Sequence, residues 1–141
     1  MKNICLFLFA LCCTIGYSYG QTLYSADQYG LKNKKAGFLE NNKIYRADVY
    51  GLKSTVVGFI EDGKIYSADQ YGLKNTAAGF IEDQKIYSAD KFGLKSRLAA
   101  FVADGKIYSV DKYGLKDRVV GFYDGGNNAG AACAAIILLL H

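Results

Sequence analysis

The residues of this chain that could do chemistry are few. Its only histidine is His141, and its four cysteines are Cys5, Cys12, Cys13 and Cys133. No Ser-His-Asp set, Cys-His pair or Cys/His metal cluster can be assembled from these positions. Cys133 lies in an apolar run, which favours an inert buried thiol over a nucleophile. The sequence therefore predicts a protein that is not an enzyme and that holds no cofactor or metal.

The second candidate for chemistry is a repeated turn, Asp-x-aromatic-Gly-Leu-Lys, which recurs every 21 residues. Its Asp and Gly residues are Asp27 and Gly30, Asp48 and Gly51, Asp69 and Gly72, Asp90 and Gly93, and Asp111 and Gly114. Its lysines are Lys32, Lys53, Lys74, Lys95 and Lys116. Arranged about a five-fold axis, these groups would form a cation or anion site. We expect the simpler arrangement, in which each Asp accepts N–H bonds within its own turn and each Lys is solvated.

The elements that must position these turns are short β-strands. Five 21-residue units cover residues 22–126, and each unit has a second turn signal besides the Asp-x-aromatic-Gly motif. These second signals are Asn41-Asn42, Asp62-Gly63, Asp83-Gln84, Asp104-Gly105 and Gly125-Gly126. The first motif is typical of a three-residue hairpin loop with a glycine bulge, and the second of a two-residue hairpin loop. Two turns per unit predict ten antiparallel strands in up-and-down order, with Glu61 opposite Lys64 and Phe59 opposite Tyr66.

The two terminal units decide between an open array and a closed one. Repeat proteins that stay open need polar terminal units, yet the first and last units here keep their apolar positions. Closure also removes both sheet edges, which would otherwise promote aggregation. The predicted fold class is therefore all-β, with five pseudo-symmetric hairpins closed into a small ten-stranded antiparallel barrel.

Alternation along the hairpins predicts which side chains fill the barrel. One set of alternate positions never carries a charge, whereas the other includes Lys35 and Arg46. The uncharged set contains ten rings, which we expect in the interior: Tyr24, Phe38, Tyr45, Phe59, Tyr66, Phe80, Tyr87, Phe101, Tyr108 and Phe122. The set with Ile44 and Ile60 would then face outwards.

The repeated hairpin G-K-I-Y, D-x-Y-G and G-F-I-x-D-G resembles the beta-flower proteins, in particular their five-fold form. The resemblance covers residues 22–126. It implies a shallow pseudo-symmetric barrel of radiating hairpins around an apolar centre, and it implies no established activity. A looser likeness to the Tubby-type barrel, which encloses an apolar helix and binds lipid, is an analogy of fold alone.

Residues 1–20 have the features of a signal peptide. Lys2 precedes the apolar run 4–15, and Ser18-Tyr19-Gly20 supplies small residues before a cleavage site at Gln21. The protein is therefore expected to be secreted, or to reside in the periplasm or cell envelope. Removal of Lys2 leaves 16 basic and 13 acidic residues. These charges are interleaved in every repeat, which does not favour nucleic acid as a partner.

A third segment, residues 127–141, follows the barrel segment 21–126. Gly125 to Asn128 are expected to be a flexible linker, and Ala129–Leu140 are apolar and too short to span a bilayer as a helix. The tail could plug the barrel as a helix, or it could stay outside and insert into a membrane, a lipid or a partner. Ten interior rings would leave little room, which favours the external position.

The sequence predicts a binding or structural module rather than an activity. One hypothesis is a secreted or envelope-associated module that holds lipid or membrane through its apolar tail. The alternative is a cell-wall carbohydrate- or choline-binding repeat, which would use aromatic hairpins of similar length. Such repeats rely on tryptophan cages, and this chain has no tryptophan.

Overall fold

A computed structural model describes residues 20–140 as a closed barrel of ten antiparallel strands. The strands are β1 (Gln21–Ala26), β2 (Lys32–Glu40), β3 (Lys43–Ala47), β4 (Lys53–Glu61), β5 (Lys64–Ala68), β6 (Lys74–Glu82), β7 (Lys85–Ala89), β8 (Lys95–Ala103), β9 (Lys106–Val110) and β10 (Lys116–Tyr123). The last strand pairs with the first, with Tyr24 opposite Phe122. The predicted fold class is confirmed. The predicted signal peptide, with Cys5, Cys12 and Cys13, and the terminal His141 lie outside the described residues, apart from Gly20.

Two kinds of loop alternate around the barrel and define its two ends. The Asp-x-aromatic-Gly loops all lie at one end, because they join odd strands to the even strands that follow. The two-residue loops lie at the other end, where Asp62 and Gly63 adopt φ of 52° and 72°. The predicted register is confirmed there, with Glu61 opposite Lys64 and Phe59 opposite Tyr66. The fifth two-residue pair, Gly125-Gly126, makes no hairpin and leads into a helix.

Each hairpin also contains a bulge that the sequence pattern concealed. On β3 and β4, Ile44 pairs with Gly58 but the next residue, Tyr45, pairs with Val56, so Val57 is the extra residue. A bulge of one residue reverses the alternation of the strand beyond it. The same register shift occurs in the hairpins of the other four units, and each of the five hairpins has a second shift nearer its turn, as between Tyr45 and Ala47.

The expected aromatic interior is wrong. The inside of the barrel is lined by one aliphatic residue from each short strand, and each of these is at most 1% exposed: Leu23, Ile44, Ile65, Ile86 and Ile107. The ten rings occupy the opposite, outer face of the strands and are only half-buried: Tyr24, Phe38, Tyr45, Phe59, Tyr66, Phe80, Tyr87, Phe101, Tyr108 and Phe122.

The two charges that suggested the wrong face have separate explanations. Lys35 lies beyond the bulge and pairs with Tyr24, which places it on the outer face. Arg46 does share a face with Ile44, but it lies at the open end of the barrel, where its guanidinium Nη2 donates to the carbonyl of Leu140 at 3.2 Å. A charge is tolerated on the inner face where that face reaches solvent.

The outer rings form cross-strand Phe–Tyr pairs that lysines cover. The Nζ atom of Lys53 lies 4.7 Å from the centroid of the Tyr45 ring and 2.7 Å from Glu40 Oε2. The hydrogen bond to Glu40 raises the pKa of Lys53 above its usual 10.5. Lysine stems thus shield the rings from water while their ammonium groups stay hydrated.

The C-terminal segment lies inside the barrel. The prediction that it stays outside, which rested on the space that ten interior rings would occupy, is wrong. The segment comprises α1 (Asn127–Ala134) and a π-helical turn over Ala135–Leu139. No flexible linker extends to Asn128, because the helix begins at Asn127. Residues 129–135, which are Ala, Gly and Cys, are completely buried. Their small side chains allow a helix to fit within the aliphatic ring.

The larger residues of the helix enter gaps left by strand glycines. At one repeated position the long strands carry Gly37, Gly58, Gly79, Ala100 and Gly121. A Cβ built on Gly58 would lie 2.8 Å from Leu140 Cδ1, and one built on Gly79 would lie 2.8 Å from Leu139 Cδ1. Gly37 and Gly121 make the corresponding room for Ile136 and Ile137. The glycines are therefore needed for the helix to fit.

Enlarging a buried helix residue should destabilise the whole barrel. Ala132 is fully buried, so Ala132→Leu should lower the free energy of unfolding by about 1–3 kcal/mol through overpacking. The control is Asn128→Leu, an exposed position of the same helix, which should change stability little. Urea denaturation measures both. Equal stability of Ala132→Leu and the unmutated protein would contradict an enclosed helix.

Candidate functional site

The carboxylates of the turn aspartates accept hydrogen bonds from backbone N–H groups of their own loops. Asp48 Oδ1 accepts hydrogen bonds from the backbone N–H groups of Tyr50 and Leu52, both at 2.9 Å. Gly51 adopts a φ of 77° and donates its N–H to the Asp48 carbonyl at 3.0 Å. The other four copies repeat this pattern. Within residues 20–140, no group of three or more His, Cys, Asp or Glu residues is placed to hold a metal ion.

Cys133 is enclosed between the helix and the closing strands. Its Sγ atom lies 3.4 Å from the carbonyl oxygen of Phe122 and 3.6 Å from that of Tyr24, and its S–H donates to them. Burial raises the pKa of the Cys133 thiol from 9.0 to about 12. A thiol that is protonated and out of contact with solvent packs as a small apolar side chain.

The surface feature that remains is a ring of exposed apolar side chains at one end of the barrel. Among residues 20–140, every exposed large hydrophobic residue belongs to the five Asp-x-aromatic-Gly-Leu loops. They are Tyr29, Leu31, Val49, Tyr50, Leu52, Tyr71, Leu73, Phe92, Leu94, Tyr113 and Leu115. We call residues 27–32, 48–53, 69–74, 90–95 and 111–116 the aromatic rim. Clustered exposed apolar residues mark interaction surfaces more often than scattered ones do.

Charge is distributed unequally between the two ends of the barrel. The five segments that carry the rim and its flanks contain twelve Lys and Arg residues against six Asp residues: 25–35, 46–56, 67–77, 88–98 and 109–119. The rest of the chain from residue 20 onward contains four Lys against seven Asp and Glu. The rim with its flanks thus carries a net charge of +6 and the rest of the chain from residue 20 onward −3, although the rim residues Lys53, Lys74 and Lys95 form ion pairs with glutamates. Such polarity orients a protein in the field of a charged surface.

The mouth of the barrel opens inside the aromatic rim. The helix passes through the barrel from the two-residue-loop end, and Leu138, Leu139 and Leu140 reach the rim. An open cavity of about 960 Å³ lies between these leucines and the loop of Asp69 to Gly72. The rim therefore combines exposed rings, lysines and a concave apolar floor.

Sequence reasoning selected other residues as candidates. It placed Tyr and Phe of the strands in the core and treated the Asp and Gly of the turns as structural. The turn tyrosines were considered only for the carbohydrate alternative, and the rim as a whole was not identified as a site. A signal was present, since the aromatic side chain at the tip of every turn has no role in the turn's hydrogen bonds, to which only its backbone N–H contributes. A count of charges by repeat position would also have revealed the basic end.

No protein-family model, no curated protein and no solved structure matches this chain at a significant level. Within residues 20–140, no helix is both long enough and apolar enough to cross a bilayer.

The Cys133 thiol gives the barrel a pH dependence with a defined sign. The folded pKa lies above the unfolded value of 9.0, so the stabilisation is complete below pH 9 and is lost as pH rises from there towards 12. The free energy of unfolding should fall by about 1 kcal/mol per pH unit more in the unmutated protein than in Cys133→Ala. Urea denaturation at pH 8 to 11 measures both. Parallel curves would show that the thiol is not buried.

Proposed function

We propose that this chain is a secreted or envelope-associated binding module without enzymatic activity, which docks its aromatic rim on an anionic lipid surface. We further propose that it is a five-fold beta-flower protein, since a closed barrel of five hairpins is compatible with that family. The observation that carries the proposal is that the exposed large hydrophobic residues of residues 20–140 all lie at the basic end.

The chemistry of the rim suits the boundary between water and lipid. Tyrosine has an apolar ring and a polar hydroxyl, which is why it concentrates at membrane interfaces. Each loop presents an aromatic residue, a leucine and a lysine within four positions, as in Tyr71, Leu73 and Lys74. Apolar contact and attraction of Lys and Arg to anionic headgroups add together in interfacial binding, at about 1 kcal/mol for each basic residue near the surface.

The rim replaces the tail as the proposed membrane contact. Residues 129–135 are buried, because the barrel surrounds them. Leu138 and Leu139 are half-buried at the mouth and would form part of the apolar surface within the rim. Five equivalent loops also allow several weak contacts at once, so affinity arises from their combination.

The available reactive groups favour binding over catalysis. The aspartates of the rim already hold their loops, and the Cys133 thiol is buried and protonated at neutral pH. The carbohydrate hypothesis remains the alternative, because exposed tyrosines could stack on sugar rings. The net positive charge of the rim and its flanks is the observation that favours an anionic lipid surface instead.

The proposal predicts selective sedimentation with anionic vesicles. The protein should bind vesicles of phosphatidylcholine containing phosphatidylglycerol, bind pure phosphatidylcholine less, and lose affinity as salt is added. Replacing Tyr50, Leu52, Tyr71 and Leu73 with Ser should weaken binding about tenfold or more by removing apolar contact. These side chains are exposed, so circular dichroism should show an intact fold.

The matched control is the pair Asn33→Ser and Asn75→Ser, which alters polar residues beside the rim and copies Ser54 and Ser96 of other units. This control should bind as the unmutated protein does. Failure of the unmutated protein to bind anionic vesicles would contradict the proposal. Binding to insoluble cell-wall polysaccharide instead, lost with the tyrosines, would establish the carbohydrate alternative.

A further inference from the structure

One part of the aromatic rim departs from the five-fold pattern. Between the first two units lies an open cavity of about 820 Å³, whose lining includes Lys34, Lys35, Arg46, Val49 and Ile136. Because the repeats are otherwise so similar, residues that occur in only one copy are the ones that the common fold does not require.

Three such residues meet in this cavity. Lys35 stands where the other units have an apolar residue, Arg46 where they have serine, and Val49 where they have glutamine or lysine. The equivalents of Lys35 are Val56, Ala77, Leu98 and Val119, and those of Arg46 are Ser25, Ser67, Ser88 and Ser109. The equivalents of Val49 are Gln28, Gln70, Lys91 and Lys112. Compared with the equivalent positions of the other units, the cavity therefore has two extra positive charges. It also has an apolar residue, Val49, which is 92% exposed, where the other units have a polar one.

The cations of the cavity are not neutralised by neighbouring carboxylates. The ion pairs found within residues 20–140 join Lys53, Lys74 and Lys95 to glutamates, and none of them involves Lys34, Lys35 or Arg46. The one acid in the lining is Asp48, whose Oδ1 accepts two backbone N–H groups of its own loop. The electrostatic field of the cavity is therefore positive.

Arg46 is held in position for a ligand. Its Nη2 donates to the Leu140 carbonyl at 3.2 Å, which fixes the guanidinium at the mouth of the barrel. A guanidinium has five N–H donors, so others remain to bind an oxyanion through two parallel hydrogen bonds. This planar, two-pronged geometry suits a phosphate group. Lys34 and Lys35 also line the cavity and add to its positive field, although the Lys35 ammonium is directed to the outer face, 6.0 Å from the centroid of the Phe38 ring.

We propose that this cavity binds a phosphate monoester whose organic part packs against the apolar wall of Val49, Tyr50 and Ile136. The proposal rests on the proposed function in one respect. It identifies the phosphate as part of a lipid headgroup in the membrane on which the aromatic rim docks. The aromatic rim supplies general attachment, and the cavity selects among anionic headgroups by their exposed phosphate.

Two triple variants with equal charge test the site. The site variant is Lys34→Thr, Lys35→Val and Arg46→Ser, and the control is Lys91→Gln, Arg97→Thr and Lys112→Gln. Each replaces a residue with one that another unit carries at the same position, so both should fold. Each also removes three positive charges from the same end of the barrel, so their general attraction to anionic vesicles should fall equally.

The probes are phosphatidylcholine vesicles containing phosphatidic acid, vesicles containing phosphatidylglycerol, and glycerol phosphate in solution. We expect the site variant to bind phosphatidic acid vesicles about tenfold or more weakly than the control does, with the two variants equal on phosphatidylglycerol. The same difference with glycerol phosphate alone would support the phosphate site and assign its ligand to solution instead of the membrane.

Equal binding of the two variants to phosphatidic acid vesicles and to glycerol phosphate would overturn the site. That result would leave the proposed function intact if the unmutated protein still bound phosphatidylglycerol vesicles. Conversely, phosphate binding by the control without any vesicle binding would contradict membrane docking and retain the site.

Discussion

The structure depends on the enclosure of a small-residue helix by a ring of aliphatic side chains. Ile44 and its four equivalents point inward and are almost inaccessible to solvent, and the space they leave admits only Ala, Gly and Cys in the narrow part of the helix. Where the helix residues become large, strand glycines such as Gly79 make room for them. Interiors of this density resist changes in volume at either partner. Five similar hairpins can therefore close around a centre that has no five-fold symmetry, because the centre is a separate segment of the same chain.

Filling the barrel with its own helix determines what the outer surface can do. Since the aliphatic residues and the helix occupy the interior, the Phe–Tyr pairs of the strands lie outside, where lysines such as Lys53 and Lys74 cover them. The large apolar residues that remain exposed are concentrated at one end, and the excess of basic residues is at that end as well. A rigid barrel thus presents one face that is aromatic and basic and another that is acidic. This polarity is the physical basis for a protein that binds in a single orientation.

Much of the architecture could be predicted from the sequence because repetition makes local signals reliable. Turn chemistry gave the strand number and the pairing of Phe59 with Tyr66, and the apolar terminal units indicated closure. The interior could not be predicted in the same way, because two register shifts in each hairpin disturb the alternation from which the inner face was inferred. Arg46 misled this inference further, since a charge on the inner face is stable only near solvent. The rim was missed because the exposure of a side chain depends on the assembled barrel. Tyr45 and Tyr50 belong to the same repeat, yet Tyr45 is half-buried on a strand and Tyr50 is exposed in a loop.

Amide hydrogen exchange of the enclosed helix tests this account most directly. If the barrel surrounds the helix, the amides of Ala131–Ala135 can exchange only when the barrel opens, so their free energy of opening should equal that of the central strand amides, such as those of Ile65 and Ile107. The helix amides would then lose protection at the same denaturant concentration as the strands. Rapid exchange of the helix amides while the strand amides remain protected would show that the helix leaves an otherwise intact barrel, and it would contradict the account.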